Sequence, residues 1–546
     1  MKRKLLPLFC ASALALTLAA CGAQQTAQTD IEGAAALTFT DSGITAQDGT
    51  AGYEIDGTAL MITESGTYAV SGKCADGSIK IKKGTTGVTL ILNGLDLTSA
   101  DTAAITCAKS TEVTILAADG TENSLSDTER NNDESYPDNA DAENAVIKCK
   151  DGSSVTLGGT GGLTVTANGK NGIKSGASTD EDGEASLTIQ DLTLTIDAPV
   201  NDGINAEQLL NIESGTLAID ASDDAVHCDL VLNVGADGTD GPGITVTGCY
   251  EGLEAAELNV FSGNIDITAS DDCLNAANSD LNGYDFTMTI SGGTINAYTF
   301  AGDGFDSNGD LTITGGTITV WTANTADNEP LDADGTITVT GGTVLAAGGS
   351  AGMGMNLEAG QSCLIYTLGG GMGGFPGRPN GTQDASDGTQ MASASVSKGA
   401  ALSIQDASGE TLFSGEAPCE LRFVFFSSPA LTADESYTLL SGEDSVTTAD
   451  AQSGTVSTGM GGMGGGPGGQ RPNDGQQPGE PPEGFDGEMP TMPDGEAPDF
   501  SDGERPEPPS GGRPGGQDGN APTPPQSGDG SASDGASGTQ GSGNNT

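Results

Sequence analysis

Between residues 201 and 333 one short phrase returns six times. It reads N-D-G-I-N-A at 201–206, D-D-A-V-H-C at 223–228, Y-E-G-L-E-A at 250–255, D-D-C-L-N-A at 271–276, D-G-F-D-S at 303–307 and E-P-L-D-A at 329–333. Successive copies lie 21 to 31 residues apart, the length of one solenoid turn and too short for a domain, so equivalent letters must stack on one another. Between the copies Ile, Val and Leu alternate with Thr, as in L-T-I-T-G-G-T-I-T-V at 311–320. That period of two turns the apolar residues inward and leaves Thr, Asn and Asp outside. With three strands per turn, the fold class is all-β, a parallel β-helix expected over 37–368. Extending the register puts the phrase's polar letter at Lys80, Thr106, Lys148, Lys174, Asn205, His227, Glu254, Asn275, Asp306, Asp332 and Asn356, about eleven coils. The stretch 119–143 fills the one long gap and is expected to loop out.

The ends read differently. Lys2, Arg3 and Lys4 precede an apolar run that closes in L-A-A-C at 18–21, which resembles a lipoprotein signal over 1–20 with Cys21 as the lipidated residue. The expectation is an exported chain, anchored by lipid at the outer face of the membrane, with a linker over 21–36. Beyond the helix, 369–394 is a Gly/Met-rich flexible segment. Strand-forming residues return at 395–445, where they would cover the open end of the sheet and remove an edge that invites aggregation. A Gly, Pro and acid-rich tail without core formers is expected over 446–546. The remaining cysteines show no metal-binding spacing, and Cys107, Cys149 and Cys228 read as small core fillers. A Cys107–Cys149 bridge between neighbouring coils is compatible with strand spacing.

Charge decides the chemistry. The chain carries 19 basic and 77 acidic residues, a formal charge of −58, which excludes an electrostatic grip on nucleic acid or on an anionic membrane. From residue 175 to 377 there is neither Lys nor Arg. Each phrase places one oxygen-bearing side chain at a corner and another three residues later: Asp202 with Asn205, Asp224 with His227, Glu251 with Glu254, Asp272 with Asn275, Asp303 with Asp306. Two carboxylates one strand spacing apart repel by roughly 3 kcal/mol at an effective dielectric near 20. Turn preference alone accounts for Asp, Asn and Gly at corners facing water. It does not account for the doubled acids Asp223–Asp224 and Asp271–Asp272. A metal answers both, and calcium suits many oxygens held loosely. The expected ligands are Asp202, Asn205, Asp223, Asp224, Glu251, Glu254, Asp271, Asp272, Asn275, Asp303 and Asp306. His227 is expected to be a surface or ladder residue.

The phrases N-G-I-K-S at 171–175, N-D-G-I-N-A, Y-E-G-L-E-A and S-D-D-C-L-N-A, the repeated G-G-T-I and S-S-P-A-L-T-A-D-E-S-Y-T-L at 427–439 are similar to those of bacterial cell-surface proteins with a carbohydrate-binding domain. The resemblance implies a right-handed β-helix close to polysaccharide lyases. It also implies calcium at the acidic corners and attachment to plant cell-wall polysaccharide, pectin or cellulose, without catalysis. Cys273 replaces the usual Gly, and Pro330 interrupts the last phrase, which puts metal binding by the last coils in doubt. A lyase needs a base near the metal, and Lys174 alone shares the column with the acids. A calcium-stiffened stalk is the third reading. For sugar stacking, Tyr298 and Trp321 are expected side by side on the outer face, with Tyr250 as a further candidate. The chain is expected to act as a monomer.

Overall fold

The computed structural model describes residues 31–179, 185–281, 283–323, 328–350, 356–368 and 395–457. The expected signal, Cys21, the Gly/Met-rich segment and the tail beyond 457 lie outside the described residues. Among those residues every regular element is a strand, and 34 of the strands join one sheet. Three parallel ladders run through it. The first joins Ser78–Ile81, Ile105–Cys107, Ala145–Cys149, Asn171–Ser175 and Ile204–Ala206, and continues through the strands that begin at Val226, Leu253, Leu274 and Phe305. A second runs from Glu112–Ala117 through Leu209–Ile212 to Asn356–Thr367. The third runs from Glu122–Asp127 through Thr216–Ala221 to Thr343–Gly348.

Register sets the packing. In the first ladder Ile79, Ile105, Ile147, Ile173, Ile204, Val226, Leu253, Leu274 and Phe305 pair in succession, and each has no exposed surface. Burying each such side chain is worth about 1.5–3 kcal/mol. Two positions on, Cys107, Cys149, Ser175, Ala206 and Cys228 form a buried stack of small residues. Cys107 and Cys149 are paired rungs here and both are thiols.

The third letter of the phrase is small for a steric reason. A Cβ on Gly203 would come 2.6 Å from the Ala225 carbonyl oxygen of the next coil, and one on Gly252 would come 2.2 Å from that of Cys273. The same amides donate across the gap, Gly203 N to Asp224 O at 2.9 Å and Gly252 N to Asp272 O at 2.9 Å. The corner is therefore one of the places where successive turns approach too closely for a side chain.

Four expectations need correction. Glu122–Asp127 is a regular rung of the third ladder, so the excursion within 119–143 begins only after it. Asn356 belongs to the second ladder, because Leu357 pairs with Ile337. The boundary at 446 is too early, since Asp444–Asp450 and Gln452–Ser457 are strands and the latter pairs with Asn356–Thr367. Tyr298 and Trp321 do pair as neighbouring rungs, but each is only 6% exposed. The C-terminal segment packs over them, burying both with Leu345, Tyr366 and Phe426, so they are core residues of the cap and offer no face to a sugar. The cap itself closes the sheet as expected, with Phe423–Ser427 pairing antiparallel to both Thr343–Gly348 and Asn356–Thr367.

Replacing Gly252 by Val should lower the thermal midpoint, with a cost of about 1–3 kcal/mol for a side chain forced into a closed gap. Gly243, with no atom nearer than 4.0 Å to its Cβ direction and no positive φ, serves as the control for the same substitution. Calorimetry of the two variants is the measurement, and equal midpoints would remove the steric account of the phrase.

Candidate metal centre

The corner ladder holds the polar letters in one row. Lys80, Thr106, Lys148, Lys174, Asn205, His227, Glu254, Asn275 and Asp306 are consecutive pairs, and the Phe305–Leu331 bridge carries Asp332 into the same row. Beside it runs the row of corner acids. Their peptide carbonyls accept the amide of the preceding coil: Asp202 from Gly172, Glu251 from Ala225, Asp303 from Cys273 and Glu329 from Gly304, at 2.9 to 3.3 Å. With the backbone so committed, the side-chain oxygens are the groups left to face one another.

They do so in distinct groups. Ligand atoms of Asp202, Asp223 and Asp224 lie within 4.8 Å of one another, as do those of Asp303, Asp306 and Asp332. Asp202 and Asp224 are buried, while Asp223 is exposed. Between the groups, Asn275 Nδ2 donates to Glu251 Oε2 at 2.8 Å, and Asp272 Oδ1 accepts from the Asp303 amide at 2.6 Å. Asn275 is 6% exposed and its Oδ1 has no hydrogen-bond partner. A buried carbonyl oxygen without a donor is costly, and a cation would satisfy it.

Burial pushes up the carboxyls of Asp202, Asp224, Glu251, Asp272, Asp303 and Asp306, and their neighbours add to it. Asp202, Asp224 and Asp306 are pushed up to about 6, Asp303 to about 7, Glu251 to about 8 and Asp272 to about 9. For Asp202 the second cause is Asp224, for Glu251 it is Glu254, and for Asp306 it is Asp332. Oxygen-only groups in such a field suit a hard divalent cation, and the orphaned Asn275 oxygen fits that donor set.

Two expected ligands have other work. Asn205 Nδ2 donates to Asp202 Oδ2 at 2.6 Å and its Oδ1 accepts from Lys174 Nζ at 3.0 Å, so its amide ties the basic rung to the acids. Glu254 bonds His227 Nδ1 at 2.5 Å; the ring also meets Asp224 at 3.3 Å and, through Nε2, Asp229 at 2.9 Å. Burial works against the charged ring, but Asp224, Asp229 and Glu254 together hold its pKa far above the usual value. His227 is therefore a built-in cation in the column, a role missed by treating the acids as free of any basic neighbour.

Asp332 was not among the expected ligands, yet its carboxylate lies with those of Asp303 and Asp306. Its place in the register was readable, and Pro330 had argued against it. The structure removes that objection, since the Pro330 carbonyl still accepts from Phe305 N at 3.2 Å. Lys174 is engaged by Asn205 and lies 3.7 Å from Glu207. Tyr250 is 48% exposed beside these corners, its hydroxyl bonded to Asp271.

The family model described as carbohydrate-binding domain-containing protein matches residues 56–352 and 238–408. The chain belongs to this family. A protein of Acetivibrio thermocellus with the same description is 35% identical over 127 residues. The match covers 23% of this chain and 43% of that relative, so the chain spans less than half the length of the curated relative it matches. A solved structure described as the polysaccharide lyase-like protein from C. thermocellum, in a gadolinium derivative, aligns at 24% identity. It covers 59% of this chain and 96% of the other, with a TM-score of 0.30.

The raised carboxyls give the metal-free column a definite pH dependence. Each keeps its proton to higher pH when folded than when unfolded, so from about pH 4 up to about 9 for Asp272 the folded state holds more protons. Stability then falls as pH rises through that window. Thermal melts in EDTA should show the midpoint declining over it, and a divalent cation should restore most of the loss at the alkaline end. A midpoint that is flat or rising in EDTA would contradict the assignment.

Proposed function

We propose that this chain is a calcium-dependent binding protein for acidic or neutral plant cell-wall polysaccharide, pectin or cellulose, held at the cell surface by a lipid on Cys21. The three parallel ladders are read as a right-handed β-helix of about eleven coils, the hand that parallel crossovers take almost without exception. Membership of a carbohydrate-binding family supports the ligand class. The observation that carries the metal is the paired grouping of acids, Asp202, Asp223 and Asp224 on one side and Asp303, Asp306 and Asp332 on the other, with the orphaned Asn275 oxygen between. Bound calcium would neutralise the column and present open coordination positions to sugar hydroxyls or uronate carboxylates. Tyr250 is the exposed aromatic that remains for stacking once Tyr298 and Trp321 are assigned to the cap.

Binding fits better than elimination. A lyase base must give up its proton beside the metal, and the Lys174 ammonium is instead held by Asn205 and Glu207.

Retention on immobilised polygalacturonate and on cellulose, with calcium and then with EDTA, tests the reading. Retention should be lost on chelation with no unsaturated product in the ultraviolet. Retention untouched by chelation would exclude calcium, and accumulating unsaturated product would make the protein a lyase. Asp303→Asn should reduce the rise in melting temperature that calcium gives, leaving the part contributed by the Asp202, Asp223 and Asp224 group. Tyr250→Ala should keep that rise and weaken glycan retention by about threefold to tenfold, the loss of one aromatic contact.

A further inference from the structure

The row that supplies the acids changes sign at its N-terminal end. Lys80, Thr106, Lys148 and Lys174 are four consecutive rungs, and Asn205 is the next. In a chain with 77 acidic residues, basic side chains find partners easily. Lys73, Lys109, Lys150, Lys170 and Lys174 each lie within ion-pair distance of a carboxylate. Lys148, partly buried between Thr106 and Lys174, has no hydrogen bond or ion pair among the described residues. Burial first, then the neighbouring Lys174 ammonium, hold its pKa below the usual lysine value, with Glu207 and Glu143 pulling the other way. A half-buried ammonium whose carboxylates stand off beyond ion-pair distance carries a desolvation cost that an anion in direct contact would offset.

Beside the first two of these rungs lies a cavity of about 490 Å³ whose lining includes Lys80, Thr106, Asp76, Asp101, Asp141 and Glu143; Lys148 and Lys174 continue the row outside that lining. Two of its acids are already neutralised, Asp101 by Arg130 and Glu143 by Lys150. A bare inorganic anion would meet the carboxylates of this lining. A sugar ring is compatible with them, because its hydroxyls donate to carboxylate oxygens while one anionic substituent meets an ammonium of the row.

We propose that the Lys80, Thr106, Lys148 and Lys174 rungs form a second subsite that takes the anionic group of an acidic saccharide directly, with no metal between them. The proposal rests on the polysaccharide reading above and is independent of its calcium. The anionic group is a uronate carboxylate or a sulfate ester, which share this chemistry. An oligosaccharide lying along the column would meet ammonium groups over the basic rungs and cation-bearing oxygens over the acidic ones.

Titration calorimetry of the full chain in EDTA tests it, with trigalacturonate, a sulfated galactan oligomer without uronate, and cellotriose. At least one acidic oligomer should bind, with affinity falling as salt rises, and cellotriose should not. Which acidic oligomer binds identifies the anionic group. Lys148→Gln should weaken that binding by about tenfold, the scale of one charged hydrogen bond, and Lys148→Arg should retain it. In the wild type, the same oligomer should protect Lys148 from reductive methylation, read by peptide mass spectrometry, which needs no variant to fold. Absence of acidic-oligomer binding in EDTA overturns the subsite. Binding by Lys148→Gln equal to wild type, or Lys148 methylated equally with and without oligomer, overturns it too. Repeating the titration with calcium shows separately whether the metal-dependent reading stands.

Discussion

Everything at the candidate site depends on the hydrogen bond that a corner amide of one coil gives to the corner carbonyl of the next. Gly203 N to Asp224 O and Gly252 N to Asp272 O are the same bond repeated. It commits the backbone of each acid to stacking, sets the spacing, and requires a third letter without bulk. The carboxylates are thereby brought face to face by backbone bonds with which their own repulsion must compete. A surface cluster of mobile acids would spread apart; these are held at a spacing they would not choose, above a continuous core of Ile, Leu and Phe.

The column deals with that repulsion in three ways along its length. In the first coils the rungs are Lys or Thr. At the centre His227 brings an imidazolium against Asp224, Asp229 and Glu254. Towards the C-terminal end, where Asp272, Asp303, Asp306 and Asp332 gather, no side-chain cation is seen among the described residues, and the carboxyls of Asp272, Asp303 and Asp306 are shifted upward. These three regimes assign different chemistry to one geometric row: an ammonium facing an anion, an internal ion pair, and oxygens suited to a cation.

Much of this was legible in the residues, and the failures share a cause. The spacing of the phrase recovered the true rungs from Lys80 to Asp332, because a backbone repeat leaves its signature at every turn. Asn356 slipped into another ladder where the phrase itself had ended and only extrapolation remained. Tyr298 and Trp321 point to the side that alternation requires. They are covered by a segment about a hundred residues later in the chain, and a local pattern carries no information about what lands on it. His227 was read as a surface or ladder residue, but its value lies in the carboxylates that neighbouring turns bring to its ring. Such contacts become visible only when one turn is laid upon the next.

That both acid groups draw on neighbouring turns, Asp202 with Asp223 and Asp224, Asp303 and Asp306 with Asp332, makes the junction between repeats the unit that gathers the acids. A duplicated turn would add a junction and a deleted one would join two former strangers, in either case without unpicking the ladders. A lineage could therefore tune the number and kind of ion positions by copying whole turns, with no residue in any turn altered.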